Sequence, residues 1–178
     1  GKFYESNADV VKRIQATGAY LGGHSYGHLN YVDPARQDST LVTKEGFVAD
    51  LRKNYEVMGH YGITPETAPV FMPPFEEYNE YVAAWAKQMG LQLVNYTPGT
   101  GSGMDYTTPD LSYYRTSKAI YDRIMKEEKE HGLNGHILLL HLGTDDARSD
   151  KFYNNYLEKL LKQLLKKGYT FRLITETI

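Results

Sequence analysis

The chain has 178 residues, enough for one domain with a sizeable core, and a single domain over residues 1–178 is the expectation. Twenty Lys and Arg stand against 22 Asp and Glu, a net charge of −2 that supplies no basic field for a phosphate backbone and removes nucleic acid from the expected partners. No apolar run approaches the ~20 residues of a transmembrane helix, and the absence of cysteine excludes disulfides, thiolate metal sites and a cysteine nucleophile, so any metal must be held by His, Asp or Glu.

Val10, Val11 and Ile14 lie on one helical stripe behind a capping residue at Ser6 or Asn7, with Gly18 to close the helix. Ala19-Tyr20-Leu21 follows as a short strand into Gly22-Gly23. A second helix starts near Thr43, with Phe47, Val48, Leu51, Tyr55 and Met58 on one face and Gly59 or Gly62 as terminator. Val70-Phe71-Met72 reads as a strand stopped by Pro73-Pro74. A helix from Tyr78 through Val82, Trp85 and Met89 ends at Gly90, and a strand follows over Leu91 to Val94. Thr97 to Pro109 is rich in glycine and hydroxyl residues without periodicity, a long loop of the functional type. A helix from about Ser117 to Glu130 leads to a buried strand, Ile137 to Leu140. Ser149-Asp150 caps a last helix with Tyr156, Leu157, Leu160, Leu161, Leu164 and Leu165 on its stripe, and Tyr169 to Leu173 forms a final strand.

Helices alternating with short apolar runs predict an α/β fold around a parallel sheet. About five strands are too few to close a parallel barrel, so an incomplete (β/α) barrel is expected. The chain starts almost inside its first helix, without the strand that a β-α unit places before it. The expectation is that this first strand is missing here, which opens a sheet edge to self-association.

His24 and His28 stand four apart, and on a helical turn that spacing aims both imidazoles at one point, as a divalent metal requires. Ser25 occupies the general-base position of the zinc-protease pattern H-E-x-x-H, which disfavours a metalloprotease. His141 ends the apolar run Ile137 to Leu140, a place on the ligand rim of a parallel fold, and is a candidate general acid. A core histidine with satisfied hydrogen bonds remains its alternative. His60, His131 and His136 sit at element ends, where structural or solvated roles prevail. Sixteen tyrosines against one tryptophan suit sugar stacking and equally suit ordinary half-buried positions.

Leu21-Gly22-Gly23-His24-Ser25-Tyr26-Gly27-His28, Met72-Pro73-Pro74-Phe75 and Leu139-Leu140-His141 resemble, in order and spacing, three motifs of the polysaccharide deacetylases (NodB-homology domain, carbohydrate esterase family four): H-S/T-x-x-H, R-P-P-Y-G and L-x-H. The resemblance implies a distorted parallel (β/α) barrel of the NodB-homology type. It implies hydrolysis of an acetyl group, N-acetyl or O-acetyl, on a carbohydrate or peptidoglycan-like substrate. It further implies a divalent ion, Zn or similar, on His24 and His28, with His141 as the acid for the leaving amine and a backbone N–H near Phe75 facing the oxyanion. A polymeric glycan substrate implies an extracytoplasmic site, whether secreted, periplasmic or at the cell surface.

The sequence departs from the family pattern in three places. The first motif, T-F-D-D, which supplies the general base and the third metal ligand, is expected upstream of Gly1 and is absent, so the chain by itself is expected to be inactive. Met72 stands where the family has Arg, and Glu76 where it has Gly. The fourth motif, with its Asp and Trp, is replaced by the glycine-rich stretch Thr97 to Tyr106. Glu76, Asp105, Asp145 and Asp146 are the nearby carboxylates, of which Glu76 and Asp105 are preferred on the substrate side, with Phe75, Tyr78 and Tyr106 as the pocket wall. Two alternatives stay open: a degenerate, non-catalytic carbohydrate-binding member of the same fold, and another metal-dependent amide hydrolase.

Overall fold

Phe47, Leu51, Tyr55 and Met58 repeat at helical spacing and all are buried, which fixes the long helix α3, Lys44–Gly59, in the computed structural model of residues 1–177. It starts where the sequence placed it, and Thr43 caps its first turn, Oγ1 accepting the Gly46 N–H at 3.1 Å. The chain divides into two units, Gly1–Asn95 together with the chain from Arg172, and Tyr96–Phe171.

The first unit begins with α1, Lys2–Ser6, and α2, Ala8–Ala16. Asn7 is the N-cap of α2, but its side chain turns back to donate to the Phe3 carbonyl at 3.1 Å instead of capping. The short helix α1 carries no periodic signal because five residues span less than two turns. A hairpin follows, β1 at Val32–Asp33 and β2 at Arg36–Thr40, paired antiparallel. Sequence periodicity gives no hint of it, because β2 is Arg36-Gln37-Asp38-Ser39-Thr40, polar on both faces; besides its ladder it is held by Gln37, which donates to Glu77 at 2.8 Å and accepts from the Asn79 side chain at 3.1 Å. After α3 come β3, Val70–Phe71, then α4, Glu80–Gln88, capped by Asn79, then β4, Gln92–Leu93.

β3 and β4 pair in parallel, Val70 with Gln92 and Phe71 with Leu93. On the opposite edge of β3, Gly23 makes one parallel bridge through Gly23 N–H to Val70 O and Met72 N–H to Gly23 O, each 3.1 Å. The strand expected at Ala19 to Leu21 is therefore reduced to a single bridge two residues later. Val11, Tyr31, Val32, Phe47, Leu51, Phe71, Val82 and Ala86 form the core of this unit.

The second unit is built on α5, Ser117–His131, and a last helix that opens with a π turn, Tyr153–Leu157, and continues as α6, Glu158–Lys166. Ile120, Ile124, Phe152, Leu160 and Leu164 pack between them. Thr116 is the N-cap of α5, its Oγ1 accepting the Ala119 N–H at 3.1 Å, and Asp150, expected to cap the last helix, accepts the Ser117 N–H of α5 on Oδ2 at 2.6 Å. Arg148 is fully buried, and its guanidinium donates to the carbonyls of Thr107 at 2.6 Å and Arg115 at 3.0 Å, tying the segment before α5 to the segment before the last helix.

Two expected strands form no ladder among the described residues. Ile137 to Leu140 is only half-buried and bonds to the single residue Thr97, through Ile137 N–H to Thr97 Oγ1 at 3.0 Å and Thr97 N–H to Ile137 O at 2.9 Å. Tyr169 to Leu173 is likewise without a ladder, the Tyr169 hydroxyl accepting the Leu133 N–H at 2.9 Å. A short apolar run signals burial, whereas pairing needs a neighbour at the right height. Within the expected loop Thr97 to Pro109, a 3₁₀ turn covers Ser102–Tyr106. No described helix is long and apolar enough to cross a membrane.

Candidate active site

In the first unit, the His24 to His28 segment is not the helical turn that its spacing suggested. Ser25 (φ 69°) and His28 (φ 53°) occupy the left-handed region, which non-glycine residues adopt only where the surroundings enforce it. The loop nevertheless brings the two imidazoles together, ring centroids 5.1 Å apart and edge to face. Ser25 is buried, and its Oγ accepts the His28 N–H at 2.8 Å. From α3, the Asp50 carboxylate accepts the N–H groups of Tyr26 at 3.2 Å and Gly27 at 2.8 Å and the Tyr31 hydroxyl at 2.7 Å. Burial, followed by that bond to Asp50, pushes the Tyr31 phenol well above its ordinary range, so it stays a donor.

His24 Nδ1 lies 2.8 Å from the Met72 carbonyl. A carbonyl only accepts, so Nδ1 carries the proton and Nε2 of the neutral ring carries the lone pair. Metal-ligating histidines are held in this way, with the second nitrogen on a carbonyl or carboxylate. Gly23 is required one residue earlier, because a Cβ there would lie 2.9 Å from Tyr55 Oη. Two imidazoles this close could serve a divalent ion as nitrogen ligands. Among the described residues no group of three His, Asp or Glu gathers to complete the set.

Pro73-Pro74 leads into a tight turn in which Phe75 (φ 59°) and Glu76 (φ 58°) are both left-handed. Phe75 lies edge-on to His28, centroids 4.7 Å apart, and is half exposed. The Glu76 and Glu77 N–H groups are taken by the Pro73 and Pro74 carbonyls, and the Glu76 carbonyl accepts from the Asn95 side chain at 2.8 Å. Tyr78 stands exposed just before α4.

In the second unit, the 3₁₀ turn Ser102–Tyr106 delivers Asp105 to His141. One carboxylate oxygen accepts the His141 backbone N–H at 2.7 Å and the other lies 2.6 Å from ring Nδ1. Asp105 is 1 % exposed, whereas the His141 side chain is 33 % exposed. Asp105 was expected to face substrate, but it lies beneath His141 with both oxygens engaged there. Tyr106, the next residue, presents its edge to the His141 ring at 5.4 Å and is itself half exposed. A cavity of about 160 Å³ opens beside His141, walled by Leu142, Thr144, Lys151 and Tyr153. Asp145 and Asp146 are exposed, and Asp145 Oδ1 accepts the Ala147 N–H in a local turn.

Sequence reasoning missed Asp50 and Tyr31, which shape the histidine loop. Nothing in the periodicity of α3 marks Asp50 among its other exposed and half-exposed polar residues. Their contribution is a set of hydrogen bonds across 19 to 24 residues of chain.

The sequence profile of polysaccharide deacetylases matches residues 1–94, the stretch with His24, His28, Phe75, Glu76 and Tyr78. The peptidoglycan-N-acetylmuramic acid deacetylase PdaA of Bacillus subtilis (strain 168) is 26 % identical over 179 residues, covering 99 % of this chain and 57 % of its own length. Among solved structures, a CE4 family pseudoenzyme from Bacillus anthracis superposes with a TM-score of 0.71 at 20 % identity, over 99 % of this chain and 52 % of that one. The Bc1960 peptidoglycan N-acetylglucosamine deacetylase superposes with a TM-score of 0.74 at 20 % identity, over 98 % and 70 %. The chain spans about half the length of the curated relatives it matches, 57 % of one and 46 % of another. Its fold is that of these CE4 proteins, and the chain belongs to the polysaccharide deacetylase family.

Proposed function

We propose that the chain serves a metal-dependent deacetylase that removes N-acetyl or O-acetyl groups from a carbohydrate or peptidoglycan-like substrate outside the cytoplasm. The observation that carries this reading is the convergence of the His24 and His28 imidazoles, with His24 Nδ1 fixed on the Met72 carbonyl, inside the segment that matches the family. These two residues would hold the ion. A divalent ion such as Zn supplies polarisation of the acetyl carbonyl and a bound water whose pKa falls to about 7.

The remaining chemistry belongs to the chain itself. Asp105 accepts from Nδ1–H of His141 and orients the ring, so that in the imidazolium form, which carries a proton on both nitrogens, the Nε2 proton is the one passed to the leaving amine, and the ring is left neutral with Nδ1 still protonated. Asp105 is thereby a positioning residue. With the neighbouring N–H groups engaged, the Phe75 N–H is the donor of that turn for a developing oxyanion. The exposed rings of Phe75 and Tyr78 in the first unit, and separately that of Tyr106 in the second, each offer an apolar face of the kind that stacks on a sugar. Glu76 is the carboxylate next to Phe75 and the candidate base within this chain. The family's base and third ligand belong to a T-F-D-D motif that the 178 residues do not contain, so turnover by this chain alone should be close to background.

Acetate release from acetylated chito-oligosaccharides and peptidoglycan fragments, with added Zn, tests the reading on this chain and on a longer form carrying a T-F-D-D segment. Release by the longer form alone is the expected result. Equal release by both, lost in Glu76→Gln, would make Glu76 the base. Binding without release in either form would establish the second reading, a non-catalytic carbohydrate-binding member, which Met72 in the place of the family arginine favours.

A further inference from the structure

We propose that Asp50 is a positioning residue for the histidine pair, setting the distance between His24 and His28 by gripping two of the three residues that join them. The inference rests on the reading that the pair binds a divalent ion, and it assigns the part of the chain that preorganises it. Asp50 does not touch either ring. It accepts from the backbone N–H of Tyr26 and of Gly27, and the Tyr31 hydroxyl completes its shell.

The grip is rigid at both ends. Phe47 and Leu51, which flank Asp50 on α3, are fully buried, and so is Tyr31, so the carboxylate is anchored to the core. Gly27 approaches so closely that a Cβ would lie 3.0 Å from Asp50 Oδ1. From the same helix Lys53 Nζ sits 4.1 Å from the centroid of the Tyr26 ring, and Glu5 accepts the Tyr26 hydroxyl at 3.1 Å. The left-handed conformations of Ser25 and His28 persist only while such contacts over-determine the loop. Without Asp50, two backbone N–H groups lose their acceptor and residues 25–28 relax toward ordinary backbone angles. Two ligands four residues apart on a relaxed loop no longer share one point.

The experiment is calorimetric titration of the whole metal-free chain with Zn, well below its melting temperature, for wild type, Asp50→Ala and Asp50→Asn. It is paired with an NMR measurement of the through-space contact between the His24 and His28 rings in the absence of metal. Outer-shell partners of ligating histidines typically govern about 10–100-fold in affinity, and a loss of that size is expected for Asp50→Ala, with loss of the ring contact. Asp50→Asn, which keeps one carbonyl acceptor, should fall between and also covers the case in which the alanine variant does not fold. Ile124→Val, in the core of the other unit, should lower the melting temperature with unchanged affinity, separating general destabilisation from positioning. Affinity within about twofold of wild type in both Asp50 variants, with the ring contact intact, would overturn the proposal. A wild type that binds no Zn would defeat the metal reading, whereas the ring contact would still decide whether Asp50 holds the pair.

Discussion

Asp105→Asn is the substitution that best examines the His141 arrangement, because it replaces one carboxylate oxygen by NH₂ and leaves the volume of a 1 % exposed side chain nearly intact. In the wild type both groups facing the carboxylate donate: the His141 backbone N–H at 2.7 Å and ring Nδ1 at 2.6 Å. A hydrogen bond to a charged acceptor contributes about 1.5–3 kcal/mol. At about 1.4 kcal/mol per decade, it biases the neutral ring toward the Nδ1–H tautomer by roughly 10–100-fold. Asparagine keeps one carbonyl oxygen for two donors. The backbone N–H cannot change its role but the ring can, so the oxygen goes to the backbone and the amide NH₂ meets Nδ1, which must then accept. The ring proton moves to Nε2, at a stability cost of about 1–2 kcal/mol, the difference between a charged and a neutral bond. Long-range proton–nitrogen NMR of labelled histidine, at a pH where the ring is neutral, reads the tautomer directly, and urea unfolding reads the cost. An Nδ1–H ring that persists in Asp105→Asn, or an Nε2–H ring in the wild type, would refute the reasoning. In an active longer form, the same variant should lose turnover by about 10²–10⁴-fold.

Three further outcomes are expected. His24→Ala should weaken Zn binding by at least about tenfold in calorimetry, since it removes one of two nitrogen ligands, and equal affinity would sink the assignment. Arg148→Met should destabilise the second unit by about 3 kcal/mol in urea unfolding, because the Thr107 and Arg115 carbonyls lose their buried charged donor, and Arg148→Lys should not restore it, since an ammonium lacks the planar fork. Burial works to raise the Asp150 carboxyl, but the hydrogen bonds from Ser117 and Asn155 and the charge of Arg148 outweigh it and hold the group below its ordinary value of 3.8. A carboxyl whose folded pKa is depressed contributes stability above its unfolded pKa and loses it as pH falls through the folded one. Acid unfolding should therefore steepen below about pH 4, and Asp150→Asn should flatten that limb; an unchanged acid limb would count against this account.

The helices were legible because each is an energetic statement that a short window can carry. Phe47, Leu51, Tyr55 and Met58 recur on one face of a helix expected to start near Thr43, and the structure buries them on α3 accordingly. The strands were less legible. Val70-Phe71 pairs with Gln92-Leu93 as a parallel reading requires, but Ile137 to Leu140 and Tyr169 to Leu173 carry the same apolar signal and form no ladder, because a strand is completed by a partner that its own residues do not specify. The hairpin Val32 to Thr40 shows the converse, a ladder whose second strand is polar throughout and whose first buries Val32, which no periodicity reveals.

At the site, residue types and spacing were enough to single out His24, His28 and His141 and to connect them with a family, since chemistry of this kind needs imidazoles whatever the local backbone. How they are held was decided in three dimensions. The four-residue spacing works here through a left-handed loop, not a helical turn, and the loop's shape depends on a carboxylate of α3 that arrives from 23 residues away. Asp105, read as a group for substrate, became the buried partner of His141 because both of its oxygens meet N–H donors 36 residues further along the chain. The sequence determined which groups are present and which helices bring them near. Hydrogen bonding between distant residues decided which way each group points, because such a bond depends on the positions of both partners and only the folded chain fixes both.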